Sequence, residues 1–127
     1  MDLNNRNRLR TIKNLRNEAV IADQCLVART YLMRAKGLIG RRELVQGEGL
    51  LLSPCNSIHM WFMSVWIDVV FLKKRKNDIF EVTSTYQRLA PWRLLPVTDL
   101  RAHDTLELPS GAIQLHPVLE GDLLCLS

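Results

Sequence analysis

Long apolar runs are missing from this chain. No stretch of its 127 residues approaches the roughly 18 apolar residues in a row that a membrane-crossing helix needs. The N-terminal region has basic side chains but no apolar core of the kind a secretory signal carries, so a cytoplasmic location is the expectation. Cysteine is scarce as well. Cys25, Cys55 and Cys125 are widely spaced and form no CxxC pair, which excludes a zinc ribbon and a thioredoxin-like redox motif. Their expected role is that of small buried hydrophobes in a reducing compartment. Also absent are GxGxxG, P-loop, HExxH, EF-hand and G-x-S-x-G patterns, which sets aside the common nucleotide, zinc-protease, calcium and serine-hydrolase readings. Neither an internal repeat nor a low-complexity segment is present.

What remains has the composition of a folded domain: 47% hydrophobic and 24% charged residues, in a chain long enough for one core and too short for two. The net charge of +4 arises locally. Arg6, Arg8, Arg10, Lys13 and Arg16 face only Asp2 within residues 1–16, and the rest of the chain is neutral. Residues 1–17 are therefore expected to be a basic arm of marginal order, or a short amphipathic helix built on Leu9, Ile12 and Leu15. Residues 18–127 are expected to form one globular domain. Nucleic-acid binding through the arm and the Lys73–Lys76 run is an alternative function, weakened because no aromatic is interleaved for base stacking.

Turn residues and alternation divide that domain into short strands. Residues 19–28 read as a strand or hairpin, broken near Asp23-Gln24. Thr30 suits an N-cap for a short helix over 31–36, with Gly37 just past its end. Leu50-Leu51-Leu52 reads as a buried strand stopped by Ser53-Pro54. In the most apolar stretch, Ile58, Met60 and Phe62 alternate with His59, Trp61 and Met63, which predicts a strand covered on both faces. After a kink at 64–66, Ile67, Val69 and Phe71 oppose Asp68, Val70 and Leu72 along a second strand. A charged hairpin at 73–78 returns it as the antiparallel strand 79–85. Pro91 and Pro96 break residues 86–99 into a draped loop whose Trp92, Leu94, Leu95 and Val97 cover the core. A strand at 105–108, a turn with Ser110 as cap, one helical turn at 112–115 and a final strand at 123–126 complete the chain. The fold class expected is α+β, β-rich, with a curled or barrel-like, mainly antiparallel sheet and one or two short helices.

Several of these blocks occur together in a recognisable order: Leu38-Ile39-Gly40-Arg41, Gly49-Leu50-Leu51-Leu52, Ile58-His59 followed by Met63, Ile67-Asp68-Val69-Val70-Phe71-Leu72, Leu106-Glu107-Leu108-Pro109-Ser110-Gly111, and Gly121-Asp122. In this the chain resembles, over residues 19–127, the uncharacterised bacterial and archaeal family known as domain of unknown function number 192. The resemblance implies a compact β-rich domain. It supplies no reaction, ligand or cofactor.

For function, the polar groups set inside the apolar stretch carry the expectation. The preferred reading is a module that binds a small molecule or a protein at a cleft formed by His59, Trp61, Met63, Asp68 and Arg41. Trp61, Trp66, Trp92 and Phe62 suit the walls of such a cleft, with Arg41 and Arg42 as an anion clamp. A carboxylate between Ile67 and Val69 is costly to bury unpaired, so Asp68 needs a partner: a backbone amide, Arg41, Arg42 or His59. The alternative is a hydrolase or transferase using Cys55, His59 and Asp68, which are the residue types of a triad without its known geometry. His59, Met63 and Cys55 are soft-metal ligand types but too sparse for a metal assignment. No cofactor is expected.

Overall fold

A computed structural model of the chain describes residues 9–29, 43–61 and 63–127. Their elements run β1 (Arg10–Asn14), β2 (Val20–Ala28), β3 (Gly47–Leu52), β4 (Ser57–Ile58), β5 (Ile67–Lys76), β6 (Ile79–Leu89), β7 (Val97–Thr98), β8 (Asp104–Pro109), the short helix α1 (Ala112–Leu115) and β9 (Leu123–Leu126). Seven strands close into a barrel in the order β1-β2-β3-β8-β5-β6-β9, and β4 pairs separately with β7. Every contact around the barrel is antiparallel except β2 with β3. Closure removes the unpaired edges that would invite association through open strands.

The β-rich, barrel-like reading is thus the observed fold. Alternation along β5 explains how it packs. Val70 and Leu72 join Leu51, Leu106, Leu108, Leu124 and Leu126 in one buried cluster. Ile67, Val69 and Phe71, on the opposite face of the same strand, join Leu50, Leu52, Ile58, Met60, Met63, Val65 and Val97 in a second. The first fills the barrel. The second lies outside it, where residues 53–61, 63–66 and 89–103 form a layer over β3, β8 and β5. Strands with both faces covered read as near-continuous apolar runs, as β5 does from Ile67 to Leu72. Each fully buried Leu, Val or Phe contributes roughly 1.5–3 kcal/mol, so the two-sided packing concentrates stability in these three strands. Gly49 lets β3 approach β2 and β8 closely, since a Cβ there would stand 3.3 Å from that of Ala22 and 3.4 Å from a Leu108 methyl.

Several local expectations change. Residues 10–14, placed in the basic arm, form β1 and close the barrel between β2 and β9, so the folded domain starts well before residue 18. Two of the basic side chains are paired: Arg16 Nε lies 2.7 Å from Asp122 and Arg10 3.8 Å from Asp78. Asp23-Gln24 interrupts the register with β3 without ending β2, which runs on to Ala28. Among the described residues of the strand expected at 58–63, only Ile58 is in a strand, as the second residue of β4; beyond it, Met60 and Met63 turn inward while His59 and Trp61 turn out. Trp92, Leu94 and Leu95 do not cover the core. They are exposed, and only Val97 of that group is buried. The helix expected at 31–36, with Thr30 and Gly37 at its ends, falls outside the described residues. Among the described residues, no helix is long and apolar enough to cross a membrane.

Candidate functional site

Asp68 faces the barrel side of β5, and its needs are met by main-chain amides. Its Oδ1 accepts from the Arg88 amide at 2.9 Å, and its Oδ2 from the amides of Gly111 and Ile113 at 3.1 and 3.0 Å. The last two belong to the start of α1, which has no cap from its own Ser110. A left-handed φ of 92° at Gly111 turns the chain so that these amides converge on the carboxylate. Asp68 therefore fastens α1 and the end of β6 to the barrel wall, and is sealed from solvent.

The remaining candidates lie elsewhere. Met63 is buried in the outer cluster. His59 is exposed, its ring 5.1 Å from that of Trp61. Cys55 Sγ donates to the Ser57 carbonyl at 3.2 Å. No hydrogen bond joins Cys55, His59 and Asp68, and the residue types of a triad are not assembled into one. Arg41, Arg42 and Phe62 lie outside the described residues. Among the described residues, no group of three or more His, Cys, Asp or Glu side chains converges to hold a metal ion.

The geometry gathers a different set. Pro54, Cys55, Asn56, Ser57, Ala102 and His103 line an open cleft of about 380 Å3 in the outer layer. Backbone bonds hold its two walls together: the Cys55 amide donates to the His103 carbonyl at 2.8 Å and the Asp99 amide to the Asn56 carbonyl at 2.9 Å. Thr105 at the start of β8 donates its hydroxyl to the Cys55 carbonyl at 2.8 Å, and the Ser57 and Thr98 hydroxyls meet at 2.7 Å. At the mouth, Nδ1 of His103 lies 2.9 Å from Oδ1 of Asp104. The two side chains differ sharply in exposure, 58% for His103 and 1% for Asp104. A carboxylate oxygen only accepts, so Nδ1 carries the hydrogen and Nε2 is left as the ring's free polar atom. The other Asp104 oxygen is buried without a hydrogen-bond partner among the described residues. Among the described residues, this is the one arrangement in which a buried carboxylate orients an accessible imidazole.

Two further carboxylates frame the layer. Asp99 accepts from Thr83 Oγ1, Ser84 Oγ and the Arg101 amide at 2.7, 2.6 and 3.0 Å. Burial would raise its pKa, but these hydrogen bonds and the Arg101 guanidinium outweigh it and hold the carboxyl well below its ordinary range. Glu107 is the opposite case. It sits on β8 between Leu50 of β3 and Val69 of β5, with no hydrogen bond from the described residues, and burial pushes its pKa up to about 7.

Sequence reasoning singled out Cys55 but passed over His103 and Asp104. The available signal was a His-Asp pair directly before an alternating strand, a position where one side chain turns in and its neighbour out.

The family model for DUF192, described as "Uncharacterized ACR", matches residues 12–126. The chain belongs to the DUF192 family. DUF192 membership thus covers all nine strands except the first two residues of β1. Among solved structures, the chain is similar to a protein of unknown function from Novosphingobium aromaticivorans DSM 12444, with a TM-score of 0.75, 21% identity, and coverage of 91% of this chain and 82% of that one. It is also similar to a protein described as a candidate transcription regulator from Sinorhizobium meliloti 1021, with a TM-score of 0.73, 20% identity, and coverage of 91% and 89%. At such identities the likeness shows the fold alone, and the fold is what the three chains share. No curated protein matches this one.

Proposed function

We propose that this DUF192 domain is a binding module that takes a small polar ligand in the cleft between residues 54–57 and 102–103. The observation that carries this reading is the couple of His103 and Asp104: an exposed imidazole held at 2.9 Å by a carboxylate that is itself buried. Burying a carboxylate is costly, and here it supports a ring at the surface, which fixes the direction of Nε2. Asn56 and Ser57 add short hydrogen-bonding groups along the same wall. Binding is favoured over nucleophilic chemistry because the Cys55 thiol is turned to the Ser57 carbonyl and forms no hydrogen bond with His103. Nucleic-acid binding has less support, since Arg10, Arg16 and Arg75 are each paired with a carboxylate. Three free cysteines agree with a reducing, cytoplasmic setting, and two bacterial neighbours of the same fold agree with a bacterial source.

The test is an amide-resolved NMR titration with inorganic phosphate, acetate, imidazole and neutral polyols. The expected result is a saturable shift confined to Cys55, Asn56, Ser57, Ala102 and His103 for one of these probes, lost in His103→Ala. Shifts scattered over the barrel, or unchanged in that variant, would overturn the proposal.

A further inference from the structure

The outer layer carries a second feature that the cleft does not use. Trp61, Trp92, Leu94 and Leu95 are exposed by 44, 56, 81 and 71%. They form one knob, because Trp61 Nε1 donates to the Leu94 carbonyl at 3.1 Å and the Trp92 amide to the Met60 carbonyl at 2.8 Å. Trp92 holds a left-handed φ of 61°, uncommon for a bulky residue, within a turn that leaves its indole half exposed. His59 packs on Trp61, and Arg93 donates from its guanidinium to the Leu95 carbonyl, which places a cation on the same loop.

Charge decides what this knob suits. Residues 53–67 and 82–98 contain no Asp or Glu, but they do contain His59, Arg88 and Arg93. The three carboxylates that border these segments are committed elsewhere: Asp68 to the amides of Arg88, Gly111 and Ile113, Glu81 to Arg75, and Asp99 to Arg101, Thr83 and Ser84. Protruding Leu and Trp side chains with arginine and no carboxylate complement a negative, apolar surface. A second copy of the chain would oppose arginine to arginine. A protein partner would need a concave acidic groove to receive side chains that project this far, whereas an anionic bilayer needs no matching shape.

We propose that the loop Trp61–Trp92–Leu94–Leu95 is a peripheral docking site for an anionic lipid surface, the Leu and Trp side chains entering the headgroup region and Arg93 meeting lipid phosphates. Sedimentation with vesicles of phosphatidylcholine alone, and of phosphatidylcholine with 30% phosphatidylglycerol, tests it on the whole protein. The expected result is retention by the anionic vesicles, with a blue shift of tryptophan emission. The double variant Leu94→Ala/Leu95→Ala, whose changes are at exposed positions, should bind at least about tenfold more weakly, as loss of six carbons from an inserted surface implies. Arg93→Glu should lose binding as well. The site would be overturned by vesicle retention no greater than background, which would leave the knob to a protein partner. It would equally be overturned if the leucine variant bound as well as the parent while Lys73→Glu/Lys74→Glu abolished binding, since the contact would then belong to the charged hairpin.

Discussion

Glu107→Gln is the most incisive single perturbation of this fold. Leu106 and Leu108 point into the barrel, so Glu107 points outward from β8, on the same face as Thr105, whose hydroxyl reaches the layer above it at Cys55. Its neighbours across the sheet, Leu50 and Val69, carry no polar side-chain atom. Burial moves its pKa from the ordinary 4.5 to about 7. At about 1.36 kcal/mol per unit, that difference amounts to roughly 3 kcal/mol of cost for the ionised form in the folded state. Because the folded chain holds this proton to higher pH than the unfolded chain, unfolding releases it throughout the window from 4.5 to about 7. Stability therefore falls as pH rises through that window and levels off above it. Gln keeps the size and removes the ionisation. Urea unfolding of parent and variant at pH 5 and pH 8.5 reads most of the effect, and the variant should gain on the parent by about 2.5 kcal/mol between the two. If the two proteins keep a constant difference in stability across the range, Glu107 is either solvated or paired, and the reasoning from its burial is wrong.

Other groups yield sharper local outcomes. Asp68→Ala leaves the amides of Gly111 and Ile113 without their acceptor and should cost about 3 kcal/mol or more by urea unfolding, with loss of amide protection concentrated in α1; uniform protection would contradict the capping role. Asp99 has a depressed pKa, so its stabilising effect is present above the ordinary carboxylate value and is lost as pH falls below about 4. Asp99→Asn should flatten the acid limb of the pH–stability profile, and an unchanged limb would remove Asp99 from it. Burial pushes the Cys25 thiol up to about 12, so an aromatic disulfide reagent should label Cys55 and Cys125 at neutral pH and reach Cys25 only on unfolding. Labelling of Cys25 in the folded protein at a comparable rate would show that the barrel opens locally.

Where neighbouring residues settle their own environment, the pattern of side chains was enough. The alternation of Ile67, Val69 and Phe71 against Asp68, Val70 and Leu72 is a period-two signal, and it became the wall between the apolar barrel interior and the apolar layer outside it. The hairpin of β5 and β6, the stop of β3 at Ser53-Pro54 and the helical turn at 112–115 follow from equally local cues, and the order of blocks was sufficient for the family. The need of Asp68 for partners was legible too, because a carboxylate in an apolar strand must be satisfied.

Which partners it finds was decided only in three dimensions. Gly111 is 43 positions away, and no local rule brings its amide to residue 68. Barrel closure likewise turned residues 10–14 from a basic arm into β1, since pairing with β2 and β9 stabilises a segment whose own composition favours disorder. The candidate site follows the same logic. Adjacent residues on a strand point opposite ways, but which of them meets solvent depends on the layer laid above. Tertiary packing buried Asp104 and exposed His103, sank Met63, and left Trp92 and Leu94 outside. From sequence, His59 and Asp68 were a pair; folding sent one to the surface beside Trp61 and sealed the other under α1.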